Sequence, residues 1–324
     1  MSYTSNNIFY MTAGKKYTLS KQKRPSHISD SLFAFMEDCI ARLKRLNRQG
    51  TATNYRAALN SLKTFRQGQD LSIRSLERST VEAYEAFLRT RGLTSNSISF
   101  YMRILRATYN RAVGQGLAVD QHPFSTVFTG TERTLKRAIS ISDIKLLRAL
   151  DLSLKPSLSF ARDMFIFLFL CRGMAFIDAA FLKKTDIRAG AIVYRRHKTN
   201  QRLRIKLEAP ISELLRFYTI ESSPYLLPII KKPGQNERKQ YASALRRINS
   251  SLKIIGGMIG LSLPLTTYVS RHSWATIAKN KAIPIHVISD ALGHDNVRTT
   301  QIYLASIDDS LIDKANDLII REFY

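Results

Sequence analysis

Three short stretches near the end of the chain carry residue types that can open a phosphodiester without a metal. They are Ser270-Arg271-His272-Ser273-Trp274-Ala275-Thr276, Leu292-Gly293-His294 and Thr299-Thr300-Gln301-Ile302-Tyr303. Such a cleavage needs a nucleophile that becomes covalently linked, cations for the charge on the non-bridging oxygens, and an acid for the leaving 5′-oxygen. Tyr303 offers a phenolic nucleophile, one of 14 tyrosines in the chain. Arg271 offers a guanidinium with two parallel donors for two phosphate oxygens, charged at any physiological pH. Lys198, within Arg196-His197-Lys198-Thr199, offers an ammonium on a basic turn.

An Arg-His pair, a Leu-Gly-His about twenty residues later and a tyrosine nine residues beyond that histidine resemble the catalytic domain of the tyrosine recombinases, the phage integrase family. Within that family the chain looks most similar to recombinases of the Bacteroides group. The resemblance covers nearly the whole sequence. It implies a mainly α fold with a small antiparallel sheet: an N-terminal helical core-binding (SAM-like) bundle, then the tyrosine-recombinase catalytic domain. It also implies that Tyr303 forms a 3′-phosphotyrosine, which stores the bond energy and removes any need for ATP. By the same resemblance His294 donates a hydrogen bond to the phosphate, and Lys198 is a mobile general acid. The plainer reading of Lys198 is a basic hairpin tip touching the DNA backbone, the role expected of Arg195, Arg196 and Arg202.

Two positions depart from the family pattern. Where His-x-x-Arg is usual, this chain has Tyr268-Val269-Ser270-Arg271, so any proton handling passes to Tyr268, to His272 or to no residue. A phenol titrates near 10, which makes Tyr268 a hydrogen-bonding strut rather than a base. The second departure is the first arginine. Counting back from Asp186-Ile187, the motif's acid falls on Asp178 and its arginine on position 175, which is Ala175. Arg172 lies three residues upstream, about 4.5 Å and 60° away on a continuous helix. It is expected to substitute, the alternative being a contact with DNA or with Asp178. Asp178 itself is expected to orient an arginine.

The elements that position these groups are written in composition and period. The 324 residues suit about two domains, and 50 Lys and Arg against 25 Asp and Glu leave a net charge of +25. That excess asks for a polyanion. It is shared: 22 basic and 9 acidic residues precede Ala138, and 28 and 16 follow. Two basic domains gripping one duplex as a clamp are the simplest reading. Cys39 and Cys171 sit in apolar surroundings without a Cys/His cluster, so neither a disulfide framework nor a metal site is expected, and no cofactor is implied. The longest apolar run, Met164–Cys171, is too short for a bilayer, and residues 1–7 lack signal-peptide features. No membrane association is expected, and a bacterial cytoplasmic or mobile-element protein fits.

Residues 1–28 read as a basic lead-in, flexible or touching DNA, and 29–120 as the core-binding domain. Its four helices carry stripes such as Leu32, Phe33, Met36, Ile40 and Leu43, the third opening at Ser79 with a capping box to Glu82. Arg103 and Arg106 on the fourth helix are expected to bind DNA. Periodicity fails across Gly114–Arg137, which places a linker at 121–137. The catalytic domain, 138–308, begins with a helix capped by Ser140 or Ser142. Further helices follow, including one over Asn296–Ala305, interrupted by strands Ala191–Arg196 and Leu203–Leu207. The tail 309–324 repeats Leu311, Ile312, Ala315, Leu318, Ile319 and Phe323 at helical spacing. It either packs on its own domain or docks into a neighbouring subunit.

Together these features predict a site-specific DNA recombinase performing integration, inversion or excision. Its expected partners are double-stranded recombination sites, three further copies in a tetrameric synapse, and accessory DNA-bending or directionality proteins. A type IB topoisomerase-like enzyme is the nearest alternative; the apolar tail beyond Tyr303 argues against it. A non-catalytic regulator on a recombinase scaffold is another, and the intact Tyr303, Arg271 and His294 argue against decay.

Overall fold

A computed structural model describes residues 30–132, 137–297, 300, 301, 316, 320 and 321. Tyr303, the lead-in and nearly all of the tail lie outside the described residues, as does most of the helix expected over Asn296–Ala305. The chain divides into two compact units, Met1–Thr134 and Leu135–Tyr324.

Among the described residues, the first unit is built on four α-helices: α1 Leu32–Arg45, α2 Gln49–Phe65, α3 Arg78–Thr90 and α4 Ser95–Gly114. Ser31 and Thr94 accept backbone N–H groups of α1 and α4 and so fix where those helices begin. The apolar stripes meet in one core around Leu32, Met36, Leu59, Tyr84, Leu88, Met102 and Tyr109. Ser79 does not cap α3. That helix starts earlier, from an extended Glu77 with no side-chain cap, and the Glu82 carboxylate instead accepts from Thr126 at 2.6 Å.

That bond belongs to a larger correction. Much of the stretch expected as linker packs on the bundle: Phe124 and Val127 are buried in its core. The Tyr109 hydroxyl donates to the Val119 carbonyl and accepts from the Gln121 N–H, both at 3.0 Å. Asn96 pairs with both backbone groups of Glu132, and Ser99 donates to the Gly130 carbonyl. A segment of turns and bends held by side-chain hydrogen bonds has no helical period, so the sequence pattern vanishes although the order does not.

The second unit is built on α6 (Pro156–Leu170), whose second half is apolar all round and which packs against α5 (Ile141–Ala149), α8 (Ala209–Tyr218), α9 (Glu237–Met258) and α10 (Thr267–Asn280). Each fully buried phenylalanine there, Phe165 and Phe167 among them, contributes roughly 1.5–3 kcal/mol relative to exposure. Ser140 and Asp143 form a capping box that starts α5, and Pro156 starts α6. Two further helices are α7 (Phe176–Ala180) and α11 (Ile285–Leu292).

The sheet has three antiparallel strands in sequence order: β1 Ile187–Arg188, β2 Ala191–Arg195 and β3 Arg202–Lys206. β1 was not expected, because two residues show no alternation. Its turn to β2 has two positive-φ residues, Ala189 and Gly190, the geometry whose twist matches a hairpin. β2 and β3 register Ala191 against Lys206 and Arg195 against Arg202. Their connection, residues 196–201, carries the basic cluster. No helix among the described residues is long and apolar enough to cross a membrane.

Candidate active site

The site starts from how α6 ends. Cys171 closes the helix, and Arg172 and Gly173 both turn left-handed, at φ 58° and 65°. α7 begins only at Phe176. No continuous helix therefore joins Arg172 to Ala175, and the rotation expected to swing Arg172 inward does not exist. Its side chain is exposed. Gly173 matters more: a Cβ there would stand 2.7 Å from the Arg271 Cα, so only glycine permits this approach.

Arg271, in the second turn of α10, is 3% exposed. Nη1 donates to the Gly173 carbonyl at 2.8 Å and Nη2 to the Leu292 carbonyl. Nη2 also lies 3.0 Å from His294 Nε2. Burial, with the charge of Arg196, brings its pKa down to about 10, leaving it cationic at neutral pH. α10 is itself fixed by Ser273, whose hydroxyl accepts the Ile139 N–H, and by Asn249, which accepts the Thr267 N–H.

An arginine only donates, so His294 Nε2 must accept; the neutral ring then carries its proton on Nδ1, which donates to Thr300 Oγ at 2.7 Å. Desolvation, then Arg271, Arg196 and Lys198, push the imidazole down to about 4. The histidine expected to donate to phosphate is thus neutral, with its lone pair turned to Arg271.

Leu-Gly-His now has a physical reading. Gly293 closes α11 in the left-handed conformation at φ 64°, and its carbonyl accepts from Arg196 Nη1 and from Thr199 Oγ at 3.3 Å. The motif ties α10 and the β2–β3 turn to one point. Lys198 is exposed on that turn. Arg196 is not: it is 7% exposed and faces Asp178, with Nε 3.9 Å from Oδ2, so it is buried where a solvated hairpin-tip residue was expected. Asp178 is also buried, at 3% exposed. It accepts the His197 backbone N–H at 2.8 Å and stands 3.2 Å from His197 Nδ1. Its partners are therefore the hairpin base, not Arg172.

Tyr268 is 53% exposed and stacks edge-on against His272, with ring centroids 4.7 Å apart. The two candidates for the absent histidine thus pair with each other on α10. Arg195 and Arg202 remain exposed, and Arg195 donates to the Asn200 carbonyl. In the bundle, Arg103 and Arg106 are exposed and bond to the Ser99 carbonyl and Thr129 hydroxyl. Sequence reasoning overlooked Gly173, Thr199, Thr300 and Tyr194. The buried phenol of Tyr194 is pushed far above its ordinary range by desolvation, with Asp178 adding to it, and so stays neutral. Among the described residues no His, Cys, Asp and Glu cluster could hold a metal ion.

Comparison with known proteins joins this geometry to a family. The model of the phage integrase family matches residues 145–309, and that of the phage integrase SAM-like domain matches 31–127. The tyrosine recombinase XerA of Thermococcus kodakarensis is 27% identical over 241 residues, 73% of this chain and 78% of its own. The tyrosine recombinase XerD of Bradyrhizobium diazoefficiens is 23% identical over 300 residues, 83% and 92% of the two chains. Among solved structures, a lambda integrase dimer bound to a COC′ core site superposes with a TM-score of 0.63 at 16% identity, covering 85% of this chain and 95% of that one. A lambda integrase tetramer bound to a Holliday junction gives 0.62 at 18%, with 84% and 77% covered. These structures share the fold.

Proposed function

Because this chain belongs to the phage integrase family, we propose that it is a site-specific DNA recombinase that cuts and rejoins strands through Tyr303. The observation that carries the reading is the contact of Arg271 with His294 at 3.0 Å, in a region the family model spans and that includes Tyr303. Tyr303, giving up its phenolic proton to water, attacks the scissile phosphorus, so that a 3′-phosphotyrosine bond forms as the bond to the 5′-oxygen breaks. Arg271, buried and cationic, neutralises the non-bridging oxygens of the pentavalent phosphate. Lys198, exposed on the β2–β3 turn, protonates the leaving oxygen. For His294 to donate to the phosphate, Nε2 must gain a proton, and an arriving phosphate anion raises its affinity for one. The freed 5′-hydroxyl then attacks the phosphotyrosine of the partner strand.

The partner is double-stranded DNA, engaged by both basic units. The exposed Arg103, Arg106, Arg195 and Arg202 meet its backbone, as does Arg172 beside Gly173. Four copies acting on two duplexes fit a family in which lambda integrase has been seen as a tetramer on a Holliday junction. Accessory DNA-bending or directionality proteins would select between integration, inversion and excision.

A duplex nicked beside the scissile phosphate tests this chemistry, since the short 5′-hydroxyl fragment diffuses away before religation. Wild-type protein should leave a covalent adduct on a denaturing gel. Tyr303→Phe should bind the same duplex equally and leave none; an adduct from that variant would show that another residue attacks. EDTA should change neither result.

A further inference from the structure

Arg196 is placed where the function proposed above needs a second cation. Position 175 is alanine and Arg172 is exposed, yet a second guanidinium is buried beside Arg271. Arg196 arrives from a different element, the β2–β3 turn, where its backbone N–H donates to the Gln201 carbonyl at 2.9 Å. Its Nη1 is held by the Gly293 carbonyl, while Arg271 Nη2 is held by the carbonyl of Leu292. The two guanidiniums hang on consecutive carbonyls of one chain.

Among the described residues, one carboxylate stands near these two charges. The nearest carboxylate, Asp178, lies 3.9 Å from Arg196 Nε, too long for a hydrogen bond, and its other oxygen serves His197. Arg196 Nε is buried and, among the described residues, has no hydrogen-bond partner. Lys198 stands two residues on and His294 is neutral. Two buried arginines thus share one carboxylate, an arrangement that costs free energy unless an anion joins it. Arg196 accordingly lowers the proton affinity of both Arg271 and His294. A phosphodiester, whose negative charge is shared by two non-bridging oxygens and grows in the pentavalent transition state, suits two adjacent guanidiniums.

We propose that Arg196 is a second phosphate-binding arginine of the active site. Its unpartnered Nε–H donates to a non-bridging oxygen of the scissile phosphate, and Asp178 acts as its positioning residue. The proposal rests on the recombinase reading, and it transfers the first-arginine role from the α6–α7 connection to the β2–β3 hairpin.

The test compares adduct formation on two nicked duplexes bearing the same site. One carries the natural phosphate, and the other a methylphosphonate in which an uncharged methyl replaces one non-bridging oxygen. On the phosphate, Arg196→Met should slow cleavage by about a hundredfold or more, the size of effect a lost oxyanion donor produces. On the methylphosphonate the same substitution should slow it less than about tenfold, because the charge it neutralises is gone. Arg196→Lys should recover part of the loss on the phosphate only. Equal losses on both duplexes would overturn the proposal, because a merely structural arginine does not sense the charge of the substrate. A second measurement needs no variant: titrating wild-type protein with orthovanadate should move the Arg196 Nε–H resonance in a nitrogen-15 NMR spectrum. A stationary resonance overturns the proposal even where Arg196→Met fails to fold. Failure of wild-type protein to form an adduct counts against the recombinase reading instead, while the vanadate titration still reports on Arg196.

Discussion

At His294 two hydrogen bonds decide the protonation state. Nε2 accepts from Arg271 and Nδ1 donates to Thr300, so an added proton would lose the first bond and face three cations. Folding therefore depends on pH at this residue. The unfolded histidine binds a proton below about 6.5, whereas the folded one resists until about 4. As pH falls through that window the unfolded state takes up a proton that the folded state refuses, so stability declines. His294→Gln should flatten this part of the profile. Melting temperatures of both proteins from pH 7.5 to 4.5 should diverge most at the neutral end and converge toward pH 4.5; parallel curves would mean that the ring is not held neutral. Arg271, Gly293 and His294 were legible because their types and spacing are specific. Arg196 was not, since a run of Arg195, Arg196, His197 and Lys198 looks uniformly solvated. Strand alternation was the available signal: Ile192, Tyr194 and Arg196 are buried, and Arg195 between them is exposed.

The elements show the same mixture. Amphipathic helices with capping residues, such as α4 after Thr94 and α5 after Ser140, were readable because each end carries its own chemistry. The break after α6 was not taken into account, although Gly173 marked it. That glycine is needed twice, for φ 65° and for the space beside Arg271. Gly173→Ala should strain the backbone by about 1 kcal/mol or more and push α10 away from the turn that holds its arginine. Displacements of about 1 Å at a reacting centre can cost a hundredfold in rate, so adduct formation should fall by about that factor. Gly190→Ala is the control. It too has positive φ, 66°, but nothing lies within 4 Å of the added carbon. It should lower the melting temperature slightly and leave cleavage within about twofold, given that an isolated glycine replacement carries only backbone strain. If both variants cleave alike, the close approach at Gly173 is not what sets the site.

On the scale of the whole molecule, charge and apolar surface make separate demands. A net charge of +25 spread over both units gives each copy the means to hold DNA alone, with affinity falling steeply as salt rises because bound counterions are released. Strand exchange asks for more, since subunits must meet. The apolar residues Leu311, Ile312, Leu318, Ile319 and Phe323 recur along the tail among Asp309, Asp313 and Asp317, and DNA can cover neither the apolar stripe nor the acidic side chains. The apolar stripe calls for cover by protein, either the tail's own unit or a neighbour. Deleting residues 309–324 separates these cases. If the tail docks on a neighbour, the shortened protein should melt within a few degrees of the intact chain and bind single half-sites with the same salt dependence. It should form neither cooperative two-site complexes nor four-subunit complexes in native gels, and recombination should be lost. Normal synapsis by a stable shortened protein would exclude the exchange. Wholesale unfolding would instead assign the tail to the core of its own unit, because a stripe buried within one copy carries stability whether or not a second copy is present.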